Sequence, residues 1–378
     1  MPLKKILPIP IAFLLFVMQV KAQNTAREMG IEIGVMETGL LNSITDVKGV
    51  RVGHFTKIIG NQIRTGVTAI LPHEGNLFQE KVPAAVYVGN GFGKLAGSTQ
   101  IEELGNLESP IVLTNTLSVA AGIQGIIQYT LSQAGNETVQ SVNAVVGETN
   151  DGYLNDIRGQ HIDREEVIEA ILSASADPVE EGNVGAGTGT VCFGFKGGIG
   201  SASRKLPENL GGYTVGILVQ SNFGGVLQID GVPIGKALGQ YSFKNQLESA
   251  DGSCMIVVAT DAPVNERNLK RMAQRAIMGL AKTGGIASNG SGDYVIAFSA
   301  SEANRILHSG VPLKLEDKRF LRNDDMSPLF LAVIEATEEA IINSLFAAKD
   351  MTGKDGRTVP ALPLEEVKNI MKQYNRIQ

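Results

Sequence analysis

A serine hydroxyl is a weak nucleophile unless a base stands beside it. One solution places the serine first in a chain, where its own α-amine is that base. Asp251-Gly252-Ser253, set between a polar stretch and the apolar run Met255 to Ala259, offers such a position. Cutting Gly252-Ser253 would release an amine with a reference pKa of about 8. Gly252 also tolerates the strained backbone that attack of the hydroxyl on its preceding carbonyl would require. An ordinary turn before a strand uses the same residue types, so spacing alone leaves both readings open.

Three glycine-rich segments are further candidates. In Asn289-Gly290-Ser291-Gly292-Asp293, a serine and a carboxylate two apart on extended backbone point to one side, although a plain turn is built the same way. Asn90-Gly91-Phe92-Gly93-Lys94-Leu95-Ala96 fits the GxGxxA pattern that seats a pyrophosphate at a helix N-terminus. The acidic residue expected about 20 positions later is missing, and a tight turn is the competing reading. Gly182 to Thr190 carries four glycines without a Walker lysine, and serves equally as a ligand-facing loop or a close crossing of sheets.

Other chemistries lack their residues. His54, His73, His161 and His308 stand apart with no HExxH pairing, and Cys192 and Cys254 have no metal-ligand spacing, so no metal or other cofactor is expected. No serine sits in a GxSxG elbow; if the protein is a hydrolase, its base is not expected to be histidine. The net charge of −6, the absence of tryptophan and 5% aromatic content argue against a nucleic-acid partner.

The elements that would position these residues are mixed along the chain. Val67 to Leu71, Ala84 to Val88, Val142 to Val146, Val215 to Val219, Met255 to Ala259 and Tyr294 to Phe298 read as buried strands. The spacing predicts a helix over 266–282, with Leu269, Met272, Ala273, Ala276, Ile277 and Leu280 on one face, Asn265 as its cap and Gly284 past its end. Asp163 and Glu166 suggest a capping box for a second helix that turns Val167, Ile168, Ile171 and Leu172 inward. A third opens at Ser327-Pro328 and runs to about Lys349, and the tail from Pro363 reads as short and amphipathic. Gly235 to Gly252 and Ser301 to Asp325 read as surface excursions. With 43% hydrophobic residues and no long linker or repeat, one α/β or α+β domain of layered sheets and helices is expected.

Residues 1–22 are set aside from that domain. A basic start, Met1 to Lys5, precedes the apolar Ile6 to Val20 and then Lys21-Ala22, as in an export signal. Removing them takes three lysines and no acid, leaving a net charge of −9. A periplasmic or secreted protein is expected, free of the membrane once the signal is gone.

Several motifs in order resemble the L-aminopeptidase/D-Ala-esterase/amidase and β-aminopeptidase family. They are Asn42 to His54, Glu181 to Gly185 with Phe195 to Gly200, Leu218 to Gly224, Gly252 to Pro263, and Asn289 to Asp293, within a likeness covering about residues 40 to 350. The resemblance implies an α+β, four-layer αββα sandwich like that of N-terminal-nucleophile hydrolases. It implies self-cutting at Gly252-Ser253 into a larger chain, 23–252, and a smaller one, 253–378, that stay together. By the family pattern Ser253 is the nucleophile, Ser291 and Asp293 assist it, Asn222 helps form the oxyanion hole, and Glu148 meets the substrate's ammonium. Asn150, Tyr153 and Phe223 are then candidates to line the pocket. The implied partners are small peptides or amino-acid amides and esters, and further copies of the cut pair in a homo-oligomer. Cys254 departs from the pattern, standing beside the nucleophile where an aliphatic residue is expected; strand alternation turns it to the opposite face. The alternatives are an acyltransferase of the related ornithine acetyltransferase type and a nucleotide-binding protein using Gly91 and Gly93.

Overall fold

The computed structural model describes residues 24–244, 252–308, 315 and 317–378. The proposed export signal lies outside these residues, as does 245–251 of the excursion before Gly252. After β1 (Arg51–Ile59) and β2 (Ile63–Leu71) come the long β3 (Glu80–Gly91) and short β4 (Leu95–Ala96). Helix α1 (Ser98–Leu104) and β5 (Asn106–Leu107) lead to β6 (Ile111–Asn115), α2 (Val119–Leu131) and β7 (Val145–Thr149). Helix α3 (Arg164–Leu172) precedes a small hairpin, β8 (Val191–Cys192) and β9 (Phe195–Lys196), followed by β10 (Gly198–Lys205) and β11 (Thr214–Asn222). Next are α4 (Ile234–Ala237), β12 (Ser253–Thr260), α5 (Glu266–Lys282), β13 (Gly292–Ser299) and β14 (Ile306–Leu307). The chain ends with α6 (Ser327–Phe346), β15 (Met351–Thr352), β16 (Thr358–Val359) and α7 (Leu364–Gln373).

Two sheets carry the fold, ordered β1-β2-β6-β7-β4 and β10-β11-β12-β13-β3-β14, the latter with β5 on β3. Inner faces meet through Ile70, Ile111 and Leu113 on one side and Leu218, Met255, Val257 and Ile296 on the other. Outside the first sheet, Val67, Ala69 and Val146 pack on Ile126 of α2 and Val167 and Ile171 of α3. Outside the second, Ile217, Val219, Ile256, Val258 and Val295 pack on α5 and α6. The result is four layers, αββα, as expected. Strands buried on both faces explain why their sequences are continuous apolar runs and not alternating ones.

Local chemistry sets the helices. Asn265 Oδ1 accepts the Asn268 N–H at 3.0 Å, and α5 spans the residues its periodicity predicts, with Gly284 left-handed just beyond. Asp163 and Glu166 form the capping box of α3. Leu172, expected inward, is exposed, and Ala170 is buried in its place: at about 100° per residue Val167, Ala170 and Ile171 share one face, and Leu172 points away from its centre. Helix α6 stops at Phe346, short of Lys349, and the strand expected from Val142 begins at Val145. The excursion from Gly235 opens inside α4, where Ile234 and Gly235 are buried. The stretch from Ser301 is not wholly peripheral either: β14 joins the sheet through Lys81 and Glu80, and Asn304 is buried.

Residues before and after Gly252 interlock. Strand β12 lies between β11 and β13, and β13 pairs with β3. The fully buried Arg204 on β10 donates to Glu335 and Glu339 of α6 at 3.2 and 2.6 Å, and Arg27 reaches Glu339 at 2.9 Å. A chain opened before Ser253 would therefore leave two parts sharing one sheet and one buried ion network.

Candidate functional site

Strand ends converge at one end of the second sheet's central strands. Ser253, first in β12, is level with Asn222, last in β11, and with Gly292, first in β13, while Gly91 ends β3 opposite Gly292. Glu148 comes from the facing sheet on β7. Gly147 lets the sheets approach there, since a Cβ would lie 2.7 Å from Met255 Sδ.

The Gly292 N–H points at two acceptors. It lies 3.2 Å from the carbonyl oxygen of Gly252 and 3.2 Å from Ser253 Oγ. The bond before Ser253 thus presents its carbonyl to a donor, with the serine's own hydroxyl beside it. Asn222 is held by its amide: Oδ1 accepts the Val191 N–H at 2.9 Å and Nδ2 donates to the Asn150 carbonyl at 3.2 Å. That orientation leaves the second Nδ2 hydrogen as a donor on the strand level with Ser253.

Register separates Ser253 from Asp293. Asp293 is level with Cys254, and Cys254 belongs to the layer packed on α5 and α6, whereas Met255, on the Ser253 side, packs between the sheets. Among the described residues neither carboxyl oxygen of Asp293, nor the Ser291 hydroxyl, makes a hydrogen bond of normal geometry. Burial pushes the Asp293 carboxyl up to about 6, against the pull of the Ser291 hydroxyl and the Cys254 amide. Ser291 and Asp293 therefore lie beside the main chain at Ser253-Cys254, and Asp293 shares its face with Cys254. Cys254 itself is fully buried, and burial, with Asp293 next in effect, pushes its thiol well above the ordinary range.

Glu148 is nearly buried and already held. Its Oε1 accepts the Lys94 N–H at 3.0 Å, its Oε2 accepts from the Thr116 hydroxyl, and the Lys94 ammonium stands 3.7 Å off. Gly93 bridges it to the strand edge: a Cβ there would meet Glu148 Oε1 at 3.2 Å and Gly292 Cα at 3.4 Å. The segment Asn90 to Ala96 thus lines this region as the end of β3 and as β4, and no helix begins directly after its glycines, so the dinucleotide geometry is absent. Gly182 to Thr190 is packed between the sheets, where a Cβ on Gly187 would lie 2.4 Å from the Ile199 nitrogen; it is the close crossing.

Asn150, Tyr153, Asn222 and Phe223 share the lining of one cavity of about 610 Å³. Sequence reasoning missed the Gly292 amide and the cavity's Phe193, Tyr241 and Pro360. Gly292 lay inside a motif already singled out, but its part comes from main-chain register, which residue type does not encode. No group of three His, Cys, Asp or Glu side chains among the described residues could hold a metal ion.

Two sheets face to face between helix layers, with a serine opening a central strand among backbone and amide donors, define the N-terminal-nucleophile class of hydrolase fold. The family model for peptidase family S58 matches residues 42–359, and the chain belongs to that family. It is 39% identical over 374 residues, 93% of each chain, to the β-peptidyl aminopeptidase BapA of Sphingosinicella microcystinivorans. Among solved structures it is similar to the PH0078 protein of Pyrococcus horikoshii, at 50% identity and TM-score 0.86 over 93% of this chain and 99% of that one. The L-aminopeptidase D-Ala-esterase/amidase of Ochrobactrum anthropi, described as a prototype serine aminopeptidase and a new variant of the Ntn hydrolase fold, matches at 36% identity. Its TM-score is 0.86 over 94% of this chain and all of that one.

Proposed function

We propose that the protein is an exported aminopeptidase that cuts itself between Gly252 and Ser253 and then releases N-terminal residues from peptides, amides or esters. The observation that carries this reading is the Gly292 N–H shared between the Gly252 carbonyl oxygen and Ser253 Oγ. In the self-cut, Oγ adds to the Gly252 carbonyl carbon, the C–N bond breaks, and the hydroxyl proton ends on the departing nitrogen, leaving an ester. Water hydrolyses that ester to a Gly252 carboxylate and a Ser253 with a free amine. In turnover the amine takes the Oγ proton, Oγ attacks the substrate carbonyl, and the leaving amine or alcohol departs with the proton before water frees the acyl group. Asn222 Nδ2 and the Gly292 N–H face the developing oxyanion. Glu148 pairs with the substrate's ammonium, which accounts for a free N-terminus as the requirement. The names of the two characterised relatives support the aminopeptidase class and extend the acyl range to β-amino and D-residues.

Ser253→Ala tests the reading. Intact mass under denaturing conditions should show two chains for the wild type, beginning at Ser253 and near Gln23, and one uncut, inactive chain for the variant. A Ser253→Ala protein that is cut and active would sink it.

A further inference from the structure

Two buried charges flank the segments that hold Asn222. Lys196, in the motif Phe195 to Gly200, is wholly buried, and Asp151, next after Asn150, is nearly so. Burial pushes the Lys196 ammonium down to about 7, against the pull of Cys192 and Asp151. Burial likewise pushes the Asp151 carboxyl up to about 7, against hydrogen bonds from Thr65 and Asn155 and the charge of Lys196. An ion pair taken out of water adds little net stability. What these two groups do supply is position.

The Asn222 amide meets main chain at two points: Oδ1 accepts the Val191 N–H, and Nδ2 donates to the Asn150 carbonyl. An inverted amide would set Oδ1 against that carbonyl and Nδ2 against that N–H, two repulsions in place of two bonds. The direction of the remaining Nδ2 hydrogen therefore depends on where Val191 and Asn150 stand.

Lys196 fixes the first. Its Nζ donates to the Gly187 carbonyl at 2.8 Å and the Gly197 carbonyl at 2.7 Å, one before Val191 in the chain and one after it. The Thr190 hydroxyl meets the same Gly187 oxygen at 3.0 Å, and the Gly197 N–H donates to the Thr190 carbonyl at 3.2 Å. The peptide whose N–H faces Asn222 is thus closed into a loop around one amine. Asp151 fixes the second. Its Oδ1 accepts Asn155 Nδ2 at 3.0 Å, and its carbonyl accepts the Leu154 and Asn155 N–H groups at 3.1 and 3.0 Å. Asn155 Oδ1 is anchored in turn by the Arg64 N–H at 3.0 Å. The turn that starts at Asp151 cannot shift without breaking these bonds, and the Asn150 carbonyl shifts only with it.

We propose that Lys196 and Asp151 are positioning residues for the oxyanion donor: Lys196 through Val191, and Asp151 through Asn150, hold Asn222 with its free Nδ2 hydrogen toward the reacting carbonyl. All five residues precede Gly252, so the donor is set within one chain whether or not the Gly252-Ser253 bond is open. The proposal rests on the aminopeptidase reading above.

The test is kcat and KM on one aminoacyl p-nitroanilide, measured on protein that intact mass shows to be fully cut. Lys196→Met keeps the length of the side chain but cannot donate, and Asp151→Ala removes the acceptor. Each should lower kcat about ten- to hundredfold, with KM within about twofold of the wild type. Asp151→Asn, which keeps an acceptor for Asn155, should retain most of kcat, since a neutral Lys196 amine still serves two carbonyls. Repeating Lys196→Met and Asp151→Ala in an Asn222→Ala background separates positioning from general damage: there each should change kcat by less than about threefold. Should either variant fail to fold or to cut, Thr190→Val, uncharged and of similar shape, loosens the Gly187 carbonyl alone. It should lower kcat by about threefold, again only while Asn222 is present. Equal losses in both backgrounds, an unchanged kcat, or a KM raised at constant kcat overturns the proposal. So does an Asn222→Ala enzyme with wild-type kcat, although the aminopeptidase reading then stands. A fully cut wild type that turns over no aminoacyl substrate refutes that reading and the positioning role together.

Discussion

Replacing Gly252 by alanine probes the self-cut without touching the nucleophile. The added Cβ would lie 2.4 Å from the Asn222 carbonyl oxygen and 2.5 Å from Phe223 Cα. Comfortable contacts are about 3.5 Å, so something must give by about 1 Å. The obstacle is main chain at the end of β11, which is tied on both sides to β10 and β12, and it cannot swing away as a side chain would. The residue that moves is therefore 252, and its carbonyl leaves the Gly292 N–H now 3.2 Å away. A misplacement of that size at a reacting carbonyl costs about a hundredfold in rate, close to 3 kcal/mol of barrier. Freshly synthesised protein sampled over time by intact mass should show Gly252→Ala cutting about a hundred times more slowly than the wild type. Once cut, the variant should turn over substrate normally, because residue 252 is then a chain end. Cutting at the wild-type rate would refute the close-approach argument, as would cut protein that stays inactive.

Two other predictions concern the donors and the buried carboxyl. Asn222→Ala removes an amide donor from the oxyanion position and should lower kcat of cut enzyme by about 10²–10³-fold with little change in KM; a raised KM at constant kcat would make Asn222 a ground-state binding group. Asp293 has its folded carboxyl raised from 3.8 to about 6 by burial. If it acts as the ionised group, the self-cutting rate should climb with pH and be half-maximal near 6, and Asp293→Asn should flatten that limb. The linked stability runs the other way. Between those two pH values the unfolded chain is ionised and the folded chain is not, so uncut protein loses stability as pH rises through the window. Unfolding midpoints of Ser253→Ala with and without Asp293→Asn should diverge there and stay parallel above it.

Much of the frame could be read from residue order because its signals are local. Periodicity and a cap fixed α5 to the residue, and apolar runs located β2, β11, β12 and β13. The candidate residues of the site were reachable through motifs, but their arrangement was not. Which face Asp293 takes depends on the β12–β13 register, and the Gly292 amide matters only because two strand starts are level. Phe193 gave no signal at all: a phenylalanine argues against the positive φ of 55° it takes between β8 and β9, where Cys192 pairs with Phe195 and the Phe223 carbonyl accepts the Phe193 N–H. Leu172 shows the converse limit: it is spaced four from Ile168, but Ile168 itself is only half-buried, at the rim of the face that Val167, Ala170 and Ile171 turn inward.

The alternation that turns Cys254 toward the α5–α6 layer also sets where the Asp293 carboxyl lies. A carboxylate level with Cys254 cannot meet Ser253 Oγ across the strand, but it lies beside the main chain joining the two residues. While the chain is whole, that main chain offers the carboxyl only the Cys254 amide, too little to offset burial, and its pKa stays raised. Opening the Gly252-Ser253 bond would replace a neutral peptide nitrogen by an amine that can carry charge. The amine would then meet a carboxyl already in place, with the Ser291 hydroxyl near both. In that arrangement no histidine is needed to orient the base: base and nucleophile belong to one residue, and the strand register aims them. It follows that moving the carboxylate to the other face should be worse than neutralising it, because an acid between the sheets would sit among Met255, Val257 and Ile296 without the amide or hydroxyl that now accompany it.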